Sequence, residues 1–93
     1  EAAALLEEQL KNFPRDARLY ALQAKGYAAL GKQLLQHKAQ AEAYVLQGSL
    51  PAAIEQLQLA QKSRDGDFYQ LSSVEARLRE LRAQLAREMK EKK

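Results

Sequence analysis

The segment 35–60, LQHKAQAEAYVLQGSLPAAIEQLQLA, holds two apolar stripes at helical spacing on either side of a glycine. The stripes are formed by Leu35, Ala39, Ala41, Tyr44 and Val45 before the glycine and by Ala53, Leu57 and Ala60 after it. Gly48 supplies the break, since glycine readily adopts the positive φ at which many helices end. Pro51 follows in the first turn of the next helix, where its missing N–H leaves no hydrogen bond unmade. The segment therefore predicts a helix-turn-helix unit.

The order of these residues resembles one tetratricopeptide (TPR) repeat, a helix pair of about 34 residues. Six positions agree with the repeat in their spacing, namely Ala41, Tyr44, Gly48, Ala53, Leu57 and Ala60. Two positions depart from it, because His37 stands in place of the first-helix aromatic and the region near Asp65 lacks the terminal proline. The resemblance implies an all-α array of antiparallel helices, about five in this chain, whose first helices line a groove that holds peptides.

Composition agrees with a small all-α domain. The 93 residues are rich in Ala, Leu, Gln, Glu, Lys and Arg, contain few Gly and Pro, and carry a net charge of +3. The chain has no Cys and no apolar run long enough for a membrane span, so disulfides, thiolate–zinc sites and a transmembrane anchor are not expected. It begins at Glu1 without Met or a signal-like segment, which we interpret as a piece of a longer chain.

The first helix is predicted from three leucines on one face of segment 2–11, Leu5, Leu6 and Leu10. It ends before Pro14, and a proline commonly follows the second helix of a TPR repeat. Residues 1–13 are therefore predicted to be the second helix of a preceding repeat, and 16–66 the repeat helices.

The next helix is predicted over 17–30, with Asp16 as its N-cap and Gly31 at its end. Its packing face consists of Tyr20, Ala24, Tyr27 and Leu30. Tyr44 and Gly48 follow Tyr27 and Gly31 by 17 residues each, which is half a TPR repeat. Two successive helices therefore both have the pattern of the first helix of a repeat. One long kinked helix over 17–47 is the alternative. We predict the break at Gly31, because both glycines stand equally far from their tyrosines.

A final helix is predicted over 68–93, after the polar loop 61–67. Ser72 and Glu75 form a candidate capping box near its start, and Phe68 and Tyr69 are expected to anchor it. Its apolar stripe is Leu71, Val74, Leu78, Leu81, Leu85 and Met89. The stripe predicts a capping helix laid over the last pair, with a two-stranded coiled coil as the alternative.

A narrower resemblance joins the repeat to this last helix. Segment 41–60, with Ala41-Glu42-Ala43-Tyr44, Gly48, Ala53-Ile54, Leu57 and Ala60, is followed by Ala76-Arg77 and Leu81. This pattern is similar to the carboxyl-terminal TPR region of BepA-like (β-barrel-assembly-enhancing) periplasmic zinc metallopeptidases. The resemblance covers roughly residues 16–85. It implies a periplasmic location, a zinc-dependent HExxH protease elsewhere in the parent chain, and a TPR part that engages the outer-membrane assembly machinery or its substrates.

The residues themselves offer no catalytic chemistry. A zinc protease of this type needs two histidines four apart and a glutamate, whereas His37 is the only histidine and is interpreted as a surface or packing residue. The serines stand where caps or loops are expected, without a histidine base: Ser49, Ser63, Ser72 and Ser73. No catalytic residue, metal ligand or cofactor site is therefore predicted in this chain.

Charged residues give the candidate binding site. From Arg77 onward seven basic and three acidic side chains give a local charge of +4, but interspersed glutamates and missing aromatics argue against nucleic acid. Four charges lie off the tyrosine stripe on the first-helix-like segments, namely Arg18, Lys25, Lys38 and Glu42. They are the candidate peptide-binding residues, for an extended acidic or carboxylate-bearing protein segment. Plain surface charges are the alternative interpretation.

Two classes of function are compatible with this pattern. The first is a TPR-like module that binds protein segments within a larger periplasmic protease. The second is a structural or autoregulatory helical domain without a peptide ligand, and homodimerisation through the last helix is a third possibility. The sequence leaves the oligomeric state open.

Overall fold

The computed structural model describes residues 2–12 and 15–91. Within these residues the chain forms five α-helices and no strand: α1 (Ala2–Asn12), α2 (Ala17–Ala29), α3 (Gln33–Leu46), α4 (Leu50–Lys62) and α5 (Phe68–Glu91). The predicted all-α class is confirmed. No helix in the described part of the chain combines the length and the apolar character that crossing a membrane requires. Phe13 and Pro14, at the predicted end of the first helix, lie outside the described residues, as do Lys92 and Lys93.

The helices follow one another as an array in which each packs against its chain neighbours. The connections 30–32, 47–49 and 63–67 are short, so successive helices from α2 to α5 run antiparallel. α3 occupies the centre, because it contacts α2, α4 and also α5. The array is elongated, with extents of 48 × 29 × 18 Å.

α2 and α3 end in the same way, in a left-handed glycine. Gly31 has a φ of 73° and Gly48 a φ of 80°. In both cases the amide after the glycine donates a 2.9 Å hydrogen bond to the carbonyl oxygen of the tyrosine four residues before the glycine, Tyr27 or Tyr44. This is the Schellman arrangement, which pairs carbonyls that a helix end leaves free. The predicted break at Gly31 is confirmed, and a single helix over 17–47 is wrong.

The core lies where α3, α4 and α5 meet. Its buried members are Leu34, Ala41, Leu50, Ala53, Leu57, Ala60, Val74, Leu78 and Leu81. The predicted packing of Ala53, Leu57 and Ala60 is confirmed, since all three are fully buried. Tyr44 packs against this cluster while remaining partly exposed. Alanines at the contact let the α4 backbone approach α3 closely, so the core depends on a few large side chains.

Three large residues of the predicted stripes are mostly exposed to solvent. Leu5, Leu30 and Met89 are all more than half exposed, at 58%, 64% and 64%. Leu30 is the C-cap residue after α2 has ended, so it no longer follows the helical face of Ala24. Met89 is exposed because α5 extends beyond α4, against which it packs: α5 is about 36 Å long and α4 about 20 Å. The apolar contacts of α5 end at Leu85.

The cap of α5 lies five residues before the predicted one, at Asp67. The Gln70 amide donates to Asp67 Oδ1 at 2.7 Å, and the Asp67 amide donates to Gln70 Oε1 at 3.1 Å. This reciprocal pair is a capping box, so the prediction that Ser72 and Glu75 form it is wrong. Glu75 lies inside the helix and accepts a 3.4 Å hydrogen bond from Gln61 Nε2 of α4. The sequence offers two successive patterns of the same kind, at 67–70 and 72–75, and the helix begins at the earlier one.

Phe68 and Tyr69 do not anchor α5. They are 77% and 82% exposed, and their rings contact each other edge to face with centroids 6.0 Å apart. Both project from the side of α5 opposite to Val74 and Leu81, which are fully buried. The predicted anchoring role is therefore wrong.

The loop 63–67 holds α5 against the start of α3. The Asp65 carboxylate accepts hydrogen bonds from the backbone amides of Gln33 and of Leu34, the latter at 3.0 Å. Lys32, the N-cap residue of α3, supplies no side-chain cap of its own. Gly66 lies so close to Leu34 that a Cβ there would overlap Leu34 Cδ1. Asp65 thus caps a helix that begins more than thirty residues earlier.

Replacing Asp65 by Asn is expected to lower the melting temperature at neutral pH. The amides of Leu34 and then of Gln33 hold the pKa of the Asp65 carboxyl below its ordinary value of 3.8. A carboxyl whose pKa is lower in the folded state adds stability above the unfolded pKa and loses it as pH falls through the folded pKa. The difference in melting temperature between Asp65→Asn and the parent should therefore shrink below about pH 4.

Thermal melts followed by circular dichroism at neutral and acidic pH measure this effect. Arg64→Ala is the control, because Arg64 is the exposed neighbour of Asp65 in the same loop. An unchanged melting temperature of Asp65→Asn at neutral pH would contradict the capping role.

Candidate peptide-binding groove

A shallow groove runs between α2 and α3. Tyr20, Gln23 and Tyr27 of α2 form one wall, and Leu35, Lys38, Ala39 and Glu42 of α3 form the other. The α3 residues recur at the three- and four-residue intervals that keep side chains on one helical face. The α2 residues lie one or two turns apart for the same reason. The two antiparallel helices therefore present a continuous strip of mixed apolar and polar character.

The groove has a volume of about 150 Å³. This is below the about 300–1,000 Å³ of pockets that enclose small ligands or cofactors. It suits one or two side chains, or a chain terminus, of another protein. Leu35 and Ala39 offer an apolar floor, while Lys38 adds a positive charge at the wall. The groove thus fits a carboxylate beside an apolar group.

Glu42 at one end of the groove is already paired. Arg77 of α5 donates from Nε to Glu42 Oε2 and from Nη2 to Glu42 Oε1, both at 2.9 Å. Solvent reaches only 30% of the Arg77 side chain and 23% of the Glu42 side chain. The hydrogen bonds that Arg77 donates to Glu42 raise the pKa of Arg77, so the guanidinium keeps its charge in this partly shielded position. With Glu42 neutralised by Arg77, Lys38 supplies the charge that the groove offers to a ligand.

The two tyrosines stay neutral at physiological pH. Burial raises the pKa of Tyr20, and the negative charge of Glu42 raises it further while Arg77 opposes that effect. Burial also raises the pKa of Tyr27, with a further contribution from Glu7 of α1. Both phenols therefore remain hydrogen-bond donors as well as acceptors. They can bind a carboxylate without adding charge to the groove.

The structure brings only two of the four predicted binding residues into this groove. Lys38 and Glu42 line it, whereas Arg18 and Lys25 are exposed and do not. On the helical wheel Arg18 and Lys25 lie about 140–160° from Tyr20, on the far side of α2. The structure thus separates the four charges into two pairs, because α3 turns Lys38 and Glu42 toward α2 whereas Arg18 and Lys25 lie on the far side of α2.

Arg18 has a local partner instead. Its backbone amide donates to Asp16 Oδ1 at 3.0 Å, which confirms Asp16 as the N-cap of α2. Its guanidinium donates to the same carboxylate and thereby lowers the pKa of Asp16. Arg18 thus stabilises the start of α2 and does not line the groove between α2 and α3.

The sequence analysis did not identify Gln23 as a groove residue. It also assigned the tyrosines to packing alone, whereas they line the groove as well. Tyr20 and Tyr27 are half-buried and line the groove while also packing against neighbouring helices. Their positions follow from the stripe, but their exposure depends on how closely α3 approaches. Gln23 lies three residues after Tyr20, so a search for polar residues bordering the tyrosine stripe would have found it.

The single histidine contacts the next helix. His37 Nδ1 and Gln56 Oε1 are 2.9 Å apart, a distance at which the ring N–H donates to the amide oxygen. The interpretation of His37 as a packing residue agrees with this contact between α3 and α4. No group of three or more potential metal ligands occurs among residues 2–12 and 15–91.

Removing Arg77 is expected to destabilise the fold by about 1–3 kcal/mol, because Glu42 then loses two charge-assisted hydrogen bonds while partly shielded from water. Arg77→Met keeps much of the aliphatic stem and removes the guanidinium. A double-mutant cycle with Glu42→Gln should give a coupling free energy of about 0.5–3 kcal/mol in urea unfolding. Arg79→Met, at an exposed position two residues on, is the control. Additive effects of Arg77→Met and Glu42→Gln would contradict the pairing.

Comparisons with known proteins found no relative. No family model matches the chain, and no curated protein or solved structure matches it significantly.

Proposed function

We propose that this chain is a non-catalytic, TPR-like interaction module that holds a carboxylate-bearing segment of another protein in the groove between α2 and α3. The observation that carries the proposal is the combination in that groove of an apolar floor, two neutral phenols and Lys38 beside a neutralised Glu42. Such a surface attracts a carboxylate by charge and hydrogen bonds it from several sides.

The size of the groove favours a protein segment over a small molecule. At about 150 Å³ it encloses too little of a cofactor-sized ligand to bind it well. A protein chain can place one side chain or its terminus there and continue along the helices. Binding by one groove of this size is weak, and it gains strength where several sites act together.

The resemblance to BepA-like metallopeptidases extends the proposal to the parent protein. By that resemblance the module belongs to a periplasmic zinc protease that acts in the assembly or quality control of outer-membrane proteins. The bound segments then come from the assembly machinery or from its substrates. Zinc is the cofactor of the protease part, and this chain supplies none of its ligands.

Site-specific photo-crosslinking in a Gram-negative periplasm tests the proposal. A photoreactive amino acid replaces Gln23, inside the groove, or Glu55, which is exposed on α4. Crosslinks at position 23 to an outer-membrane assembly component or to one of its substrates, absent at position 55, are expected. Lys38→Glu should weaken the crosslink, whereas Lys25→Glu, an equal charge change on the far side of α2, should not.

Three outcomes separate the alternatives. Crosslinks to unrelated proteins would support binding by the groove but would contradict the role in outer-membrane assembly. Crosslinks to a second copy of the chain would favour the homodimerising alternative. A stronger loss with Lys25→Glu than with Lys38→Glu would move the binding surface to the face predicted from sequence.

A further inference from the structure

The outer side of α5 carries features that neither the core nor the groove uses. α5 covers the core with Val74, Leu78 and Leu81, so the opposite side of this helix lies away from the core. At its start that side presents the exposed ring pair Phe68 and Tyr69. Two large aromatic side chains next to each other on a surface are enriched at protein interfaces.

Cations continue this side toward the end of the helix. Phe68, Arg79 and Lys90 are spaced eleven residues apart, about three turns, so they lie close to one line along α5. Arg87 lies beside that line, about 60° from Lys90. All three cations are exposed, and none forms an ion pair within the described ranges.

Small residues lie between the aromatic pair and the cations. Ala83 and Ala86 are exposed on this side, and Ala76 and Ser72 are partly exposed. They leave a flat strip on which another backbone can lie close to α5. We call the surface made by Phe68, Tyr69, Arg79, Ala83, Arg87 and Lys90 the α5 outer face. It extends for about 33 Å from Phe68 to Lys90.

The carboxylates of α5 border this face and are not part of it. Glu80 lies at its edge and is 3.9 Å from Arg77 Nη1 on the inner side. Glu91 is exposed at the other end of the same edge, four residues after Arg87. The face itself carries three cations and no carboxylate, so it is positively charged from its middle to its end, with an apolar anchor at its start.

We propose that the α5 outer face is a second docking surface, which binds an acidic amphipathic helix of a partner protein. The cations pair with the partner's carboxylates, the alanines admit its backbone, and the ring pair packs against an apolar residue near one end. Charge complementarity selects an acidic partner over a second copy of this chain, whose own α5 outer face is positive.

A protein segment fits this face better than a lipid surface or nucleic acid. Helices that lie in membrane interfaces bury a broad apolar face, and here the large apolar side chains are confined to the first turn. Single-stranded nucleic acid stacks on aromatic residues distributed along its path, whereas Phe68 and Tyr69 stand together at one end.

The test uses the full 93-residue chain and a fluorescein-labelled helical peptide of about 20 residues made of Glu, Ala and Leu. Fluorescence anisotropy at low salt should detect binding, which about 0.5 M NaCl should weaken strongly. The triple variant Arg79→Glu/Arg87→Glu/Lys90→Glu should raise Kd by at least about tenfold. The pair Phe68→Ser/Tyr69→Ser should raise it by about threefold at either salt concentration.

A matched control keeps the net charge equal. Lys11, Arg15 and Lys25 are exposed and lie away from α5, so reversing all three to Glu should change Kd by less than about twofold. The Lys38→Glu variant should also bind normally, which separates this face from the groove. Melting temperatures of every variant check the fold, and Arg79→Glu alone, in the middle of α5, replaces the triple variant if that one unfolds.

Several results would overturn the proposal. These are no binding of the Glu peptide at low salt, equal binding of a peptide with Lys in place of Glu, or equal losses in the triple variant and its control. Binding of phosphatidylglycerol vesicles or of single-stranded oligonucleotide without binding of the peptide would assign the face to lipid or nucleic acid instead.

Discussion

A chain that ends at Gly66 is expected to lose its cooperative unfolding transition and to self-associate. Removing α5 takes Val74, Leu78 and Leu81 out of the core and exposes the apolar surface of α4 around Ile54 and Leu57. Repeat arrays need a terminal helix with a polar outer side to stay soluble. Circular dichroism melts and light scattering after size-exclusion chromatography measure the two effects.

The matched control is a chain that ends at Ala86. It keeps the contacts of α5 through Leu85, and the described residues that it removes, 87–91, are all exposed, so it should melt nearly as the full chain does. A soluble, monomeric and fully helical product of residues 1–66 would show that α5 is not a cap. It would support an independent role for α5, such as the coiled coil that its stripe also allows.

Replacing Leu57 by Ala is expected to lower the free energy of unfolding by about 2–5 kcal/mol. Leu57 is fully buried in the cluster shared by α3, α4 and α5, so its truncation leaves a cavity that the packed helices fill only in part. The loss is large beside the about 5–15 kcal/mol that a domain has in total. Urea unfolding followed by circular dichroism measures it.

Glu55→Ala is the control, since Glu55 is exposed on the same helix two residues away. Its effect should stay within about 0.5 kcal/mol. Equal midpoints for the two variants would contradict the packing of α4 against α3 and α5.

The features that could be predicted from the sequence are local ones. The stripe of Ala53, Leu57 and Ala60 and the breaks at Gly31 and Gly48 each depend on residues within a few turns of one another. Helical periodicity and the φ preference of glycine are properties of short segments. They suffice for the number of helices, for most of their bounds and for one face of each.

Features that depend on contacts between distant segments of the chain were not predicted. Ala43 is fully buried although it lies off the predicted face, because α3 has neighbours on several sides. Leu34 is buried because the loop with Gly66 folds back over the start of α3. The sequence pattern of one helix cannot predict the burial of Ala43 or of Leu34.

The same distinction between local features and long-range contacts applies to the groove. Lys38 and Glu42 were identified because they lie off the tyrosine stripe, but the partner of Glu42 is Arg77, 35 residues further along the chain. Without that contact Glu42 resembled a free carboxylate. Arg18 and Lys25 were grouped with them on the same ground, and their orientation depends on which side of α2 receives α3.

The bond from Asp65 to the start of α3 also has a consequence for the order of folding. Successive helices meet through short connections, so their pairing closes small loops and needs little loop-closure entropy. The contacts of Asp65 with Leu34 and of Arg77 with Glu42 span 31 and 35 residues. We therefore expect the neighbouring pairs α2–α3, α3–α4 and α4–α5 to form first and the contacts of Asp65 and Arg77 with α3 to form last. By the same reasoning, loss of these contacts with α3 is the opening through which amide protons near the α3–α5 contact exchange with solvent before the whole array unfolds.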